Sequence, residues 1–513
     1  MRGSSVLFIP PRCAQRALAG TLMTQFTTSP PQIREGRHSH ARPFELPAAP
    51  MMIAAVSLGF AIQLHDGEYS REPNGHGSAA MALLTIALIA NAIAVIGPIV
   101  RRGEARWLRT LTSPLLGSVF FLQFLALFIA WPGVDLPRHG GTQLLPFHVG
   151  LTVAAALLFF GPRNEFSRFR SAWFPLLLIV FVLLGIWLVH SSPKPHIDVW
   201  LFQQEGTAEL LHGRNPYAMT FPDIYHSTLP GHQQVYGTGL VENDRVQFGF
   251  PYPPVSLLLA TAGYAVAGDH RYAQVFALGL AGVFLGYSRR SRFAMLAAAI
   301  LLFTPRIFFV LGRAWTEPFV VMLLAATIFC ACRRPRWLPI ALGLFLATKQ
   351  YLILAVPLTF FLLPAGWRWR DWFNLLWKTA LAMMAVTIPF AAADFHAFWK
   401  STVRVQELAP FRWDALSYLV WYGFRGHLVT EPSTALFWST FAALAALTIS
   451  LWRSPRTPAG FAASLSLLSI GFFAFNKQAF CNYYFFVIGA MCSAIAACAN
   501  DINTNKSEPV VAR

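Results

Sequence analysis

The sequence predicts an all-α polytopic membrane protein whose helices cross a bilayer more than ten times. Three observations predict it. Of the 513 residues, 55% are hydrophobic and only 12% charged, where soluble domains carry roughly a quarter charged residues. Mean hydropathy is +0.49, and apolar stretches approaching the ~20 residues that a hydrocarbon core requires recur towards the C-terminus. The arginines and lysines gather in short clusters between those stretches, which is how membrane topology is encoded. The net charge of +17 therefore reads as topology, and nucleic acid is not expected as a partner.

Residues 1–46 are polar and basic, with Arg2, Arg12, Arg16, Arg34, Arg37 and Arg42. They lack the ordered regions of a secretory signal and read as a disordered cytoplasmic tail, or as an over-extended start before Met51. An additional N-terminal bundle is expected over 47–171, with spans near 50–64, 79–100, 112–131 and 144–161. The main membrane domain is expected over 172–500. Its spans lie near 172–190, 271–287, 293–311, 315–332, 336–348, 350–364, 373–393, 433–452, 459–475 and 482–500. A cytoplasmic tail, 501–513, closes the chain.

The basic clusters test this order. Arg101, Arg102, Arg106 and Arg109 mark one cytoplasmic loop, and Arg163, Arg168 and Arg170 the next. Arg289, Arg290 and Arg292, then Arg333, Arg334 and Arg336, then Arg368 and Arg370, then Arg453 and Arg456 follow. Segment 253–267 decides the parity. If it crossed, every later cluster would fall outside. It opens on Pro253-Pro254 and is short for a span, so it is expected to lie in the interface. Residues 191–252 then form a large first extracytoplasmic loop, and 312–316, 349–350, 394–432 and 476–481 are smaller outer segments. Both termini are expected in the cytoplasm, with the chain in the plasma membrane among its lipids.

The six cysteines have no zinc-site spacing. Cys330, Cys332, Cys13, Cys481, Cys492 and Cys498 read as packing or incidental residues.

Chemistry concentrates on the outer side. His196-Ile197-Asp198-Val199-Trp200 follows a span behind Pro193 and Pro195, and a helix from Asp198 to Leu211 is stopped by Gly213 and Pro216. Asp198, Phe202, Glu205 and Glu209 share one helical face. A carboxylate held at the membrane surface can take a proton from a substrate hydroxyl; an ordinary helix-capping aspartate is the equal alternative. Phe250-Pro251-Tyr252-Pro253-Pro254 forms a rigid elbow, a helix start or a substrate contact. In Arg313-Ala314-Trp315-Thr316-Glu317-Pro318, Glu317 stands directly before a helical proline. It could hold a divalent metal ion or complement the helix dipole, while Arg313 could pair with phosphate. Lys349, followed by Gln350, interrupts an apolar stretch where an isolated ammonium costs several kcal/mol. It is expected to meet an anion, with phosphate the obvious one, or to lie at a tight outer turn between two short helices, rather than to snorkel. In Phe475–Tyr484, Lys477 supplies charge, Asn476, Gln478 and Asn482 supply amides for sugar hydroxyls, and Tyr483 supplies a stacking face.

These motifs, in this order, resemble the GT-C superfamily of membrane glycosyltransferases. Asp198 to Tyr217 with Tyr252-Pro253-Pro254 is similar to glycosyltransferase family 87, the polyprenyl-phosphate-mannose-dependent mannosyltransferases. Phe475 to Tyr484 is similar to a segment of GPI mannosyltransferases in the same superfamily. The resemblance covers about 172–500 and leaves the first four spans unexplained. It implies a GT-C-like helix bundle with interfacial helices in the first large outer loop. It implies Asp198 as catalytic carboxylate, Glu317 as the second acid where many relatives carry Asp, and Lys349 near the donor phosphate. The implied reaction transfers a hexose, mannose in the family, from a polyprenyl-phosphate sugar donor to a lipid or glycan acceptor with inversion. His196, Arg313, Gln350, Asn476, Lys477, Gln478 and Tyr483 complete the expected substrate-binding set. Two rivals stand beside this expectation. One is a secondary transporter or lipid-glycan flippase, against which the boundary positions of Asp198 and Glu317 and the absence of an obvious repeat weigh. The other is a non-catalytic scaffold of the cell envelope.

Overall fold

The computed structural model describes residues 48–65, 75–97, 105–133, 136, 144–163, 167–225, 235–289, 291–364, 366–425 and 432–498. All belong to one unit, Phe44–Arg513. The basic segment 1–46 with Cys13, the tail 501–513, and the loop carrying Arg101 and Arg102 lie outside the described residues.

The fold is mostly helical, 77%. The N-terminal part contains α1 (Ala48–Leu64), α2 (Gly75–Ile96), α3 (Ala105–Ile129), α4 (Leu145–Phe160) and α5 (Ser167–Ser191). After it come α6 (Asp198–Leu211), α7 (Pro254–Ala267), α8 (Arg271–Gly286), α9 (Arg292–Leu302), α10 (Ile307–Gly312), α11 (Glu317–Arg333) and α12 (Leu338–Leu346). Then follow α13 (Trp369–Ala393), α14 (Phe395–Trp399), α15 (Val405–Leu408), α16 (Tyr418–Gly423), α17 (Pro432–Arg453), α18 (Pro458–Ala474) and α19 (Cys481–Cys498).

Five of these helices, α2, α5, α13, α17 and α19, are long and apolar enough to cross a membrane, which is consistent with an all-α membrane protein. They coincide with five of the expected spans. Other expected spans are shorter apolar helices, and two are not single α-helices. Segment 293–311 breaks into α9 and α10 at Phe303–Arg306, because Pro305 lacks an N–H and Arg306 takes a left-handed backbone, φ 68°. Segment 350–364 is a 3₁₀ helix, Gln350–Leu362, with Pro357 inside it. At ~2.0 Å rise per residue that tighter winding extends the segment further than an α-helix would.

Large apolar side chains on α13 (Trp369, Phe373, Trp377, Leu381, Ile388) and α17 (Leu436, Phe437, Phe441, Leu444) are exposed. A contiguous apolar exterior of this extent suits hydrocarbon rather than water. By contrast α18 and α19 are nearly wholly buried and pack on α1, α2 and α11. The first helices are therefore joined to the last ones in one body.

Several described residues of the basic clusters bind backbone carbonyls or aromatic rings near helix ends. Arg292 donates to Pro162 O at 3.0 Å, Arg333 to Tyr287 O at 3.4 Å, and Arg289 to Ala497 O at 3.1 Å. Arg456 lies over Phe360 and Trp367. Arg453 covers Trp452 at 3.6 Å, and aromatic-basic pairs of this kind mark membrane boundaries. Segment 191–252, expected as an outer loop, departs from the all-helical expectation. It carries a small antiparallel sheet ordered β1 (Phe221–Pro222), β3 (Arg245–Val246), β2 (Val241–Glu242). Strands β2 and β3 join through Asn243 and Asp244, both at positive φ, as a tight hairpin demands.

Candidate active site

The described residues enclose a cavity of about 640 Å³. Every expected outer segment contributes to its wall: Asp198 and Tyr236 from 191–252, Arg313 from 312–316, Lys349, Arg412 from 394–432, and Gln478 from 476–481. Residues far apart in sequence thus converge on one cavity.

Asp198 is the first residue of α6. The cap position is Ile197, which makes no side-chain cap bond, and Asp198, one residue further, is the side chain that serves a free amide of the first turn. Its Oδ1 accepts from the Val199 N–H at 2.8 Å and from the Tyr225 hydroxyl at 3.4 Å, and its Oδ2 from the Tyr236 hydroxyl at 3.3 Å. Burial raises the carboxyl above its ordinary value, against the opposing pull of the Arg412 charge, the Val199 amide and the two phenols. The same burial and the nearby carboxylate push both phenols upward, so they remain protonated donors. The helix positions Asp198 through Gln203, whose Nε2 donates to Val199 O and to Ala314 O. Of the expected acidic face, Asp198 and Phe202 line the cavity; Glu209 instead pairs with Arg214.

Lys349 stands at the turn between α12 and the 3₁₀ segment, 4% exposed. Its Nζ lies 3.1 Å from Glu317 Oε1 and 4.0 Å from the centre of the Tyr252 ring. The proline elbow fixes this geometry. Val255 N–H donates to Ala347 O, and Gln350 Nε2 donates to Pro251 O at 2.7 Å and Thr402 O at 2.8 Å. Arg306 and Arg313 flank the Phe309 ring at 4.4 and 5.7 Å. Arg412 pairs with Asp414 at 2.7 Å. Four cations stand against Asp198, Asp414 and the Glu317 that pairs with Lys349, which leaves a balance of one positive charge and favours an anionic ligand.

The expected residues divide. His196, Asp198, Arg313, Lys349, Gln478 and Tyr483 line the cavity; Glu317, Gln350, Asn476 and Lys477 do not. Glu317 is fully buried behind Lys349, with Tyr351 OH 3.4 Å from Oε1. Gln350 ties the elbow. Lys477 Nζ donates to the carbonyls of Glu407 and Ala409, and Asn476 Oδ1 accepts from Gln478 N–H. These four act on the cavity through their neighbours.

A divalent cation does not fit the donors present. It needs several oxygen ligands, yet Asp198 accepts from two phenols and Glu317 holds an ammonium. No group of three His, Cys, Asp or Glu suited to a metal occurs among the described residues.

The site also contains residues that motif reading passes over: Tyr225, Tyr236, Arg306, Arg412, and His65 with Trp131 from the N-terminal helices. Arg306 interrupts an apolar stretch just as Lys349 does, so the same criterion applied to 293–311 finds it. The tyrosines carry no such signal. No protein-family profile matches the chain, and neither curated proteins nor solved structures provide a match.

Proposed function

We propose that the chain is a membrane glycosyltransferase of GT-C type, similar to glycosyltransferase family 87. It transfers a hexose, mannose by the family resemblance, from a polyprenyl-phosphate donor to a lipid or glycan acceptor. The face is extracytoplasmic, by the positive-inside distribution, and the membrane is the plasma membrane. The observation that carries this reading is the sharing of one positively charged cavity by Asp198 and Lys349.

Asp198 takes the proton of the acceptor hydroxyl, whose oxygen attacks the anomeric carbon from the face opposite the phosphate. The bond from anomeric carbon to phosphate oxygen breaks, and polyprenyl phosphate leaves with the electron pair. The configuration inverts. Lys349 and Arg313 offset the charge that develops on the leaving phosphate. The raised carboxyl of Asp198 suits a base near neutrality better than an ordinary surface aspartate does.

Purified chain offered a series of polyprenyl-phosphate sugars, with products identified by mass spectrometry, tests the reading. Sugar transfer supports it. The transporter reading has one observation in its favour, the interrupted helix pair α9 and α10 with Arg306 at the break, since broken helices line transporter sites. Uptake into proteoliposomes without sugar transfer would establish that rival instead.

A further inference from the structure

The N-terminal helices, which the family resemblance leaves without a role, supply part of the cavity wall. Ile62, Gln63 and His65 from the end of α1, and Trp131 and Gly133 just after α3, line it together with Asp198 and Lys349. The close approach is built into α1. A Cβ on Gly59 would stand 3.1 Å from Thr304 Oγ1 and 3.2 Å from Pro305 Cδ, so α1 seats directly on the break between α9 and α10.

His65 is the polar group this wall presents. Its ring is half-buried, and Nε2 lies 2.9 Å from the backbone carbonyl of Asp414. A carbonyl only accepts, so Nε2 carries the hydrogen and Nδ1 of the neutral ring is left as an acceptor. Among the described residues Nδ1 has no hydrogen-bond partner. Burial and the Arg306 charge hold the ring neutral, outweighing the Asp414 contribution. Asp414 pairs with Arg412, whose charge acts on Asp198.

We infer that His65, through Nδ1, binds a non-reacting hydroxyl of the acceptor on the wall that α1 and α3 add. The inference rests on the glycosyl-transfer reading, in which Asp198 takes the acceptor proton and the Asp414–Arg412 pair links the His65 wall to Asp198. The N-terminal helices are then a specificity element of the site.

The test uses the full chain, polyprenyl-phosphate-mannose as donor and octyl mannoside as acceptor probe. His65→Gln keeps an N–H in reach of the Asp414 carbonyl but has no acceptor at the Nδ1 position. His65→Asn keeps an amide oxygen near that position. The expected result for His65→Gln is an acceptor KM raised about tenfold, the worth of one lost hydrogen bond, with kcat within about twofold and donor KM unchanged. His65→Asn should recover most of the loss, and matched thermal melts separate binding from folding. An unchanged acceptor KM in His65→Gln, or a rise confined to the donor KM, overturns the inference and leaves the reaction standing. If the wild-type chain transfers no sugar, the reaction and this subsite fall together.

Discussion

Lys349 Nζ stands 3.1 Å from Glu317 Oε1, with both side chains buried. Glu317 opens α11 and Lys349 closes the turn after α12, so one ion pair pins two helix ends at the cavity floor. Removing one partner of a buried pair leaves an uncompensated charge and costs about 3–5 kcal/mol, whereas removing both costs much less. Lys349→Met and Glu317→Gln should each lower the melting temperature, and the double variant should be clearly less destabilised than their sum. Additive losses in a double-mutant cycle would show that the pair is not coupled.

Asp198 is the group assigned to the acceptor proton. Asp198→Asn should lower transfer by ~100-fold or more, the scale of general-base catalysis. Its melting temperature at neutral pH should stay at or above that of the wild type. The reason is that burial raises the folded carboxyl, so the charged form at neutral pH opposes folding, and an uncharged amide removes that cost.

The same raised value fixes the pH profile. The base works only when ionised, so activity should fall as pH decreases through a value above the ~3.9 of an ordinary aspartate. Tyr225 and Tyr236 donate to the ionised form. Tyr236→Phe should move the acid limb of kcat/KM to higher pH, as loss of such a donor disfavours the charged form. A limb unmoved in both Tyr225→Phe and Tyr236→Phe would detach the tyrosines from the base.

Lys477 separates two expectations. As a substrate ligand it should control KM. Bonded to the partly exposed carbonyls of Glu407 and Ala409, Lys477→Met should instead lower stability by about 1 kcal/mol, the net worth of such hydrogen bonds. Donor and acceptor KM should change little. Paired melting and kinetic measurements decide between the two.

Much of this architecture was legible because lipid imposes simple demands. Apolar length placed α2, α5, α13, α17 and α19, and the segments singled out between spans are the ones that meet around Asp198. The break at Pro305–Arg306 and the 3₁₀ winding after Lys349 were not legible, because a hydropathy pattern records apolar content and not local winding. Lys349 stood out as a charge where charge is costly, Asp198 as a carboxylate at a helix start after a span, and Glu317 as an acid before a helical proline. Lys349 and Glu317 meet each other's charge. Tyr225, Tyr236 and Arg412 gave no warning, since phenols and loop arginines are unremarkable until the chain folds them against a carboxylate. The small sheet in the outer loop was missed because its strands are two residues each.

The central claim is that Asp198 and the cations of its cavity transfer a sugar from a lipid phosphate. The most direct measurement is the product formed by purified wild-type and Asp198→Asn chains from labelled polyprenyl-phosphate-mannose, read by mass spectrometry. The account predicts a glycosylated acceptor and free polyprenyl phosphate with the wild type and almost none with the variant. Equal turnover by a folded Asp198→Asn chain would contradict it.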